Sequence, residues 1–513
     1  MSKVLEIRAT ELARNTALNF VGQVVPILVG VATIPYLVRG LGADRFGVLS
    51  LAWVVLGYIS LFDLGLGRAT TKFVAECLGG QDQERLPSLV WTSVGLQLLF
   101  GMIGTVLVGA ATPLLVDKLL KIPPALMGET KRTFFILAAS LPIVLATNGF
   151  RGVLEAGQHF DLVNYVKLPA NVSVFLLPAV ALPFGLKLPG IVLLLVLARV
   201  GALLAYLTFC LKRFPALASK FPLERKLLGV LISYGGWVTV SNIVNPLLVY
   251  GDRFFVGALL STAALTYYSV PFEVVTRIWI VAQGLAAALF PAFSTLEATG
   301  SRDKLESLYA RSFKYLLIVL GPVVLFAVAF AGDILNIWLG PDFAARSTFL
   351  MQVLAVGVLL NSLTHLPYSL LQALDRPDTV AGLFVLELPC YAALLWFSIS
   401  RFGLPGAAVA WSVRVGIEAI LFLIVARELL ALSPGVWADG GILKSLFAVA
   451  VLFGTALPAS TLSGWPLPAR FAAATACAGI FAWVAWRYLL DDTDRRPVRT
   501  IIRALVAPAK RAN

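Results

Sequence analysis

One arginine stands among apolar residues in "LPGIVLLLVLARVG" (188–201), and the chain repeats the arrangement in "LPGAAVAWSVRVG" (404–416). A guanidinium at the centre of a bilayer costs roughly 3 kcal/mol or more, so two at matching places call for a use. Arginine can grip an oxyanion with two parallel hydrogen bonds, a geometry that suits phosphate oxygens. A cation free for that work should have no carboxylate on its own helix face. Residues four apart share a face, so Arg414 with Glu418, Arg277 with Glu273, and Arg151 with Glu155 each read as a self-neutralised pair. Arg199 and Lys167 have no acid three or four residues away in either direction. They are the strongest candidates for anion contacts. Lys167 sits only about 9 Å inside its helix end at 1.5 Å per residue, from where its stem could also snorkel to the surface.

Further charges fall in or beside the same apolar runs. Asp63 is the one clearly intramembrane acid of the first half, whereas the second half holds Glu273, Glu387 and Glu418. Glu387 aligns with Lys167, opposite in sign, so the two could pair in one state and part in another. Asp252 and Arg253 are neighbours that project about 100° apart on a helix, placed to clamp a gate or to touch a ligand. Arg39 and Arg45 bracket the turn "GLGADRFG" (40–47), with a gate role and simple solvation both open. A buried carboxylate can couple its protonation to a conformational change, which makes Asp63, Glu387 and Asp252 candidates for coupling to Na⁺ or H⁺.

The elements that carry these charges are membrane helices. Hydrophobic residues make up 59% of the 513 positions and charged ones 13%, with a mean hydropathy of +0.87. A soluble domain is nearer a quarter charged. Apolar runs long enough to cross ~30 Å of hydrocarbon as helices recur along the whole chain, about fourteen of them. They lie near 16–38, 47–66, 88–110, 133–152, 161–183, 190–210, 233–259, 266–292, 312–330, 346–370, 378–400, 404–426, 442–462 and 468–490. Short alternating strands of a lipid-facing barrel are not evident. The N-terminal stretch lacks the apolar core and small-residue cleavage site of a removable signal peptide. Lys and Arg are biased to the loops on the side of both termini, which expects a cytoplasmic N- and C-terminus. The net charge of +13 then records topology, since its basic residues are too dispersed for a nucleic-acid patch.

Enzymatic signatures are missing. Cys77, Cys210, Cys390 and Cys477 are scattered and the only histidines are His159 and His365, so neither a disulfide framework nor a zinc site has clustered ligands. No phosphate-binding GxxxxGK[ST] loop or GxSxG elbow occurs. No cofactor and no metal is expected.

Sliding the chain on itself by about 220 residues aligns Pro26 with Pro246, Ala43 with Ala263, Gly80 with Gly300 and Pro169 with Pro389. "VLEAGQHFD" (153–161) echoes "LLQALDRPD" (370–378), and "CLGGQDQERL" (77–86) echoes "ATGSRDKLESL" (298–308). Six spans per unit is an even number, so the copies run parallel, related by an axis along the membrane normal. Parallel repeats build transporters that work by alternating access around a central site. The expected organisation is a six-helix bundle over 1–215, a second over 216–430, and two additional spans with a basic cytoplasmic tail over 431–513. The fold class is an all-α polytopic membrane protein.

The run "IPYLVRGLGADRFGVLSLAWVVLGYISLFDLGLGRATTKFVAE" (34–76) resembles the opening of oligosaccharide flippases of the multidrug/oligosaccharidyl-lipid/polysaccharide (MOP) exporter superfamily. "FRGVLEAGQHFD" (150–161) is similar to that family's turn between spans four and five. "YGDRFFVGALLSTAALTYYSVP" (250–271) is similar to its seventh span running into the eighth. The resemblance covers roughly residues 10–430 and implies two bundles around a cavity that opens to either side of a bacterial inner membrane. It implies as substrate an oligosaccharide on a polyprenyl pyrophosphate, moved from the cytoplasmic to the outer leaflet for cell-surface polysaccharide synthesis. Membrane lipids and a polysaccharide polymerase machinery are the partners it implies, and nucleic acid is not. For such a substrate Arg199, Lys167, Arg151, Arg277 and Arg414 are the candidate cavity cations. Asp63, Asp252, Arg253, Glu273, Glu387, Arg39 and Arg45 are candidates for coupling or gating. An ion-coupled multidrug exporter of the superfamily would want a cavity dominated by carboxylates, the reverse of the balance in the first half. A peptidoglycan-precursor flippase also handles a pyrophosphate, so charge alone does not separate it. A membrane glycosyltransferase would want acidic residues on a sizeable outer loop, whereas the longest such segment, 111–132, is mainly basic.

Overall fold

The computed structural model describes residues 9–57, 63, 65–80, 83–219, 224, 236–429, 442–461, 465–491 and 494–495. Among the described residues every regular element is helical and ten helical stretches are long and apolar enough to cross a membrane. The first half runs α1 (Ala9–Gly57), α2 (Leu66–Gly79), α3 (Leu86–Leu114), α4 (Pro124–Ala139), α5 (Leu141–Ala156), α6 (Phe160–Ala181) and α7 (Leu188–Arg213). There follow α8 (Gly236–Leu259), α9 (Thr262–Thr276), α10 (Trp279–Ala298), α11 (Arg302–Ala329), α12 (Ala331–Leu339), α13 (Pro341–Ala373) and α14 (Pro377–Leu429). The chain closes with α15 (Ile442–Thr461) and α16 (Leu467–Val484).

Helix boundaries differ from the hydropathy runs where the backbone, not the side chains, decides. The turn expected at 40–47 is a single break inside α1 at Gly42, with φ 76°. The boundary near 400–404 is likewise one residue, Gly403 with φ 62°, inside α14. Both are left-handed conformations that cost an L-residue about 1 kcal/mol or more and cost glycine little. The run at 266–292 is interrupted between α9 and α10. There the Arg277 and Ile278 amides bond three residues back, to Val274 and Val275, in place of four. Asp63 lies where the second run was expected to end; residues 58–62 and 64 of that run lie outside the described residues.

One turn aligned by the sequence repeat has the same backbone in both places. Gln158 and Asp375, the only non-glycine residues with positive φ among those described (58° and 55°), occupy matching places in "VLEAGQHFD" and "LLQALDRPD". The same three turn bonds close each copy. Gly157 N–H donates to Val153, Gln158 to Glu155 and His159 to Leu154; in the second copy Leu374 donates to Leu370, Asp375 to Gln372 and Arg376 to Leu371. Each following helix then starts with an aspartate, Asp161 or Asp378, in its first turn, where a negative charge meets the positive helix end.

Packing divides the chain into two compact units, one of 1–269 with 381–407, the other of 270–380 with 408–513. The repeat halves 1–215 and 216–430, with the added 431–513, are a relation between sequences. Within the first unit, α5 approaches its neighbours through glycines. A Cβ at Gly149 would stand 2.2 Å from Gln97 Oε1 of α3, and one at Gly152 would stand 2.8 Å from Thr71 Oγ1 of α2. These contacts hold α5 close against α3 and α2. In the second unit α11 packs closely with α13 and α15.

Candidate functional site

Three helices of the first unit direct polar stripes into one cavity of about 110 Å³. From α5 come Val144, Thr147, Asn148 and Arg151; from α6, Lys167, Ala170, Asn171, Ser173 and Val174; from α7, Leu195, Ala198, Arg199, Ala202 and Tyr206. Most of these recur three, four or seven residues apart on their helix, one face at 3.6 residues per turn. Arg199 lies 11 residues into α7, ~16 Å from its start at 1.5 Å per residue. No acid lines the cavity, and its three cations are Arg151, Lys167 and Arg199. Among the described residues neither Lys167 nor Arg199 has an ion pair or a hydrogen bond. Lys167 therefore makes no pair with Glu387, which is half-buried on α14. Tyr206 is buried and donates to the Val163 carbonyl at 3.1 Å, which holds α7 against α6.

A second cavity of about 210 Å³ adjoins the first through two shared residues, Asn148 and Arg151, and adds Asp63, Gly67, Arg68, Thr71, Gly152 and Glu155. Arg68, near the start of α2, lines this space. Arg151 Nε is 3.4 Å from Glu155 Oε1. Gly67 N–H donates to Asp63 Oδ2 at 3.1 Å, so the carboxylate sits on the first turn of α2. Its other oxygen, Oδ1, is buried without a hydrogen-bond partner.

The remaining charged candidates lie elsewhere. Arg277 donates to Glu273 Oε2 at 2.8 Å where α9 gives way to α10. Arg414 and Glu418 form a 3.3 Å pair on α14, both side chains under 8% exposed. Asp252 and Arg253 are buried on α8. Tyr268 donates to Asp252, the Arg253 amide donates to the same carboxylate at 2.8 Å, and the Arg253 guanidinium stands over the Tyr250 ring. Arg39 is exposed. Arg45 Nε donates to both oxygens of Glu129, at 3.3 and 3.2 Å, and Glu129 also receives the Leu188 amide at 3.0 Å. Arg45 thus ties α1 to α4 and to the start of α7. Nothing local in the sequence marks that bond, whose partners are 84 residues apart. Asn148, Asn171 and Tyr206 were also passed over, although projecting α5, α6 and α7 on a wheel would have set them beside the three cations.

Helical membrane stretches and a cation-lined polar cavity define a multi-pass membrane transporter. Residues 12–297, more than half of the chain, match the family described as "Polysaccharide biosynthesis protein". The chain belongs to that family. It is 29% identical over 422 residues to a Shigella flexneri protein named "Putative O-antigen transporter", covering 80% of this chain and 96% of that one. The fold is similar to "Lipid II flippase MurJ, inward closed conformation", with a TM-score of 0.71 and 11% identity over 93% of this chain and 100% of the other. A multidrug resistance MATE family transporter in its inward-facing conformation gives 0.69 and 18%, covering 80% and 98%.

Proposed function

We propose that this transporter is a flippase that carries a polyprenyl-pyrophosphate-linked oligosaccharide from the cytoplasmic to the outer leaflet of a bacterial inner membrane, with both termini cytoplasmic. The carrying observation is the acid-free cavity in which Lys167 and Arg199 have no partner and Arg151 stands beside them. Arg199 is half-buried and Lys167 exposed, and a partly buried guanidinium without a partner is costly unless an anion comes to it. A pyrophosphate brings two or more negative charges and oxygens for bidentate contact. A cationic drug would be repelled by the same lining. Family membership and the O-antigen transporter relative support the sugar-lipid class. An Na⁺ or H⁺ gradient, acting through Asp63, Asp252 or Glu387, is the proposed drive, and a polysaccharide polymerase the proposed consumer of the product.

Deletion of the gene tests this reading. Loss of surface polysaccharide, with lipid-linked oligosaccharide accumulating on the cytoplasmic leaflet, is the expected result. Intact surface glycans with new sensitivity to cationic dyes would replace the flippase by an exporter.

A further inference from the structure

The two adjoining cavities of the first unit differ in charge. One holds Arg151, Lys167 and Arg199 with no acid; the other sets Arg68 and Arg151 against Asp63 and Glu155 and is formally neutral. Arg151 is the only charge that lines both. Its Nε is buried without a hydrogen bond, 3.4 Å from Glu155, and Asp63 Oδ1 in the same chamber is also without one. Buried polar atoms are as a rule partnered, so the neutral chamber has an unmade bond on its positive and on its negative side.

The second copy of the repeat shows what the fold itself needs at this place. Aligned on their identical turns, Arg151 corresponds to Tyr368 and Glu155 to Gln372. Gln372 Nε2 donates to Tyr368 Oη at 2.7 Å, the same one-turn link made without charge. The helix end and its three turn bonds are otherwise alike. An ionic pair is therefore not required to finish this helix.

We infer that Glu155 is a resident competitor anion, a positioning residue that holds Arg151 in the neutral chamber and yields it to a diphosphate, so that Arg151 passes the anion between the two chambers. The inference rests on the flippase reading above. Glu155 is one-third exposed at the end of α5, whereas Asp63 is tethered by the Gly67 amide. A diphosphate outbids a single carboxylate because it carries more charge and more acceptor oxygens. When it leaves, Glu155 recaptures Arg151 and lowers the affinity of the emptied site, which favours release.

The test is titration of inorganic pyrophosphate into the purified full-length protein in detergent at low salt, followed calorimetrically. Glu155→Gln is expected to bind about threefold more tightly, the size of a partly exposed ion pair, and to transport more slowly because release is slowed. In an Arg151→Gln background, Glu155→Gln is expected to change nothing, since its effect runs through Arg151. Should Glu155→Gln unfold, Arg151→Tyr with Glu155→Gln, which copies the second repeat, is expected to fold and bind more weakly than wild type. A well-folded Glu155→Gln that binds no tighter than wild type, or a tightening that persists without Arg151, overturns the inference alone. Wild-type protein that does not bind pyrophosphate overturns the flippase reading of the cavity and the inference with it.

Discussion

Arg199 and Arg414 occupy equivalent places in the two repeats and have different fates. Four residues after Arg414 stands Glu418, and the two form a pair in which both side chains are nearly inaccessible. Four residues after Arg199 stands Leu203, and the guanidinium lines a cavity. One substitution thus separates a structural arginine from one available to an anion. Replacing Glu418 by Leu removes the carboxylate paired with the buried Arg414, which costs roughly 3 kcal/mol. Thermal unfolding in detergent should show that loss, with transport per folded molecule preserved. Spacing in the sequence sufficed for the three i,i+4 pairs at 151, 277 and 414, because helix geometry alone brings such partners together. It did not suffice for Arg45 with Glu129, or for the sharing of Arg151 between two chambers, because those depend on how separate helices pack.

At the scale of elements, the added α16 and the residues just beyond it are tied to the rest of the second unit by charges at two separate points. Arg470 donates to both oxygens of Asp333, at 3.2 and 2.9 Å, and stands over the Phe330 ring. Beyond α16, Asp494 accepts from Lys314 and Tyr315 of α11, and its side chain is inaccessible. Burial alone would raise the Asp494 carboxyl. The Lys314 and Tyr315 hydrogen bonds, the Asp491 amide and the Lys314 charge outweigh it and hold the carboxyl below its ordinary value. A depressed carboxyl contributes stability that is present above its unfolded value, about 3.9, and is lost as pH falls through the folded one. Acid titration of the unfolding midpoint should therefore show a decline below about pH 4 in wild type and a shallower one in Asp494→Asn. Hydropathy located these helices, since their length and apolarity are composition. It placed boundaries near Gly42 and Gly403 without showing that each is a single-residue break, and it missed the interruption at 277–278, because these are set by backbone dihedrals and by three-residue hydrogen bonds.

For the whole molecule, the repeat read from scattered identities pairs two turns that share a backbone conformation, with left-handed Gln158 and Asp375. The family followed from quoted motifs, and the match over residues 12–297 establishes it. The compact units of the fold were not legible, because they exchange segments: 381–407 packs with the first unit although it lies late in the chain. The central claim is that Arg199 grips a diphosphate in an acid-free cavity. Its most direct test is complementation of a strain lacking this gene with Arg199→Ala and Arg199→Lys, reading surface polysaccharide at matched protein level. Loss in both variants is expected, because lysine keeps the charge and cannot make the bidentate contact. Full surface polysaccharide with Arg199→Ala at normal abundance would contradict it.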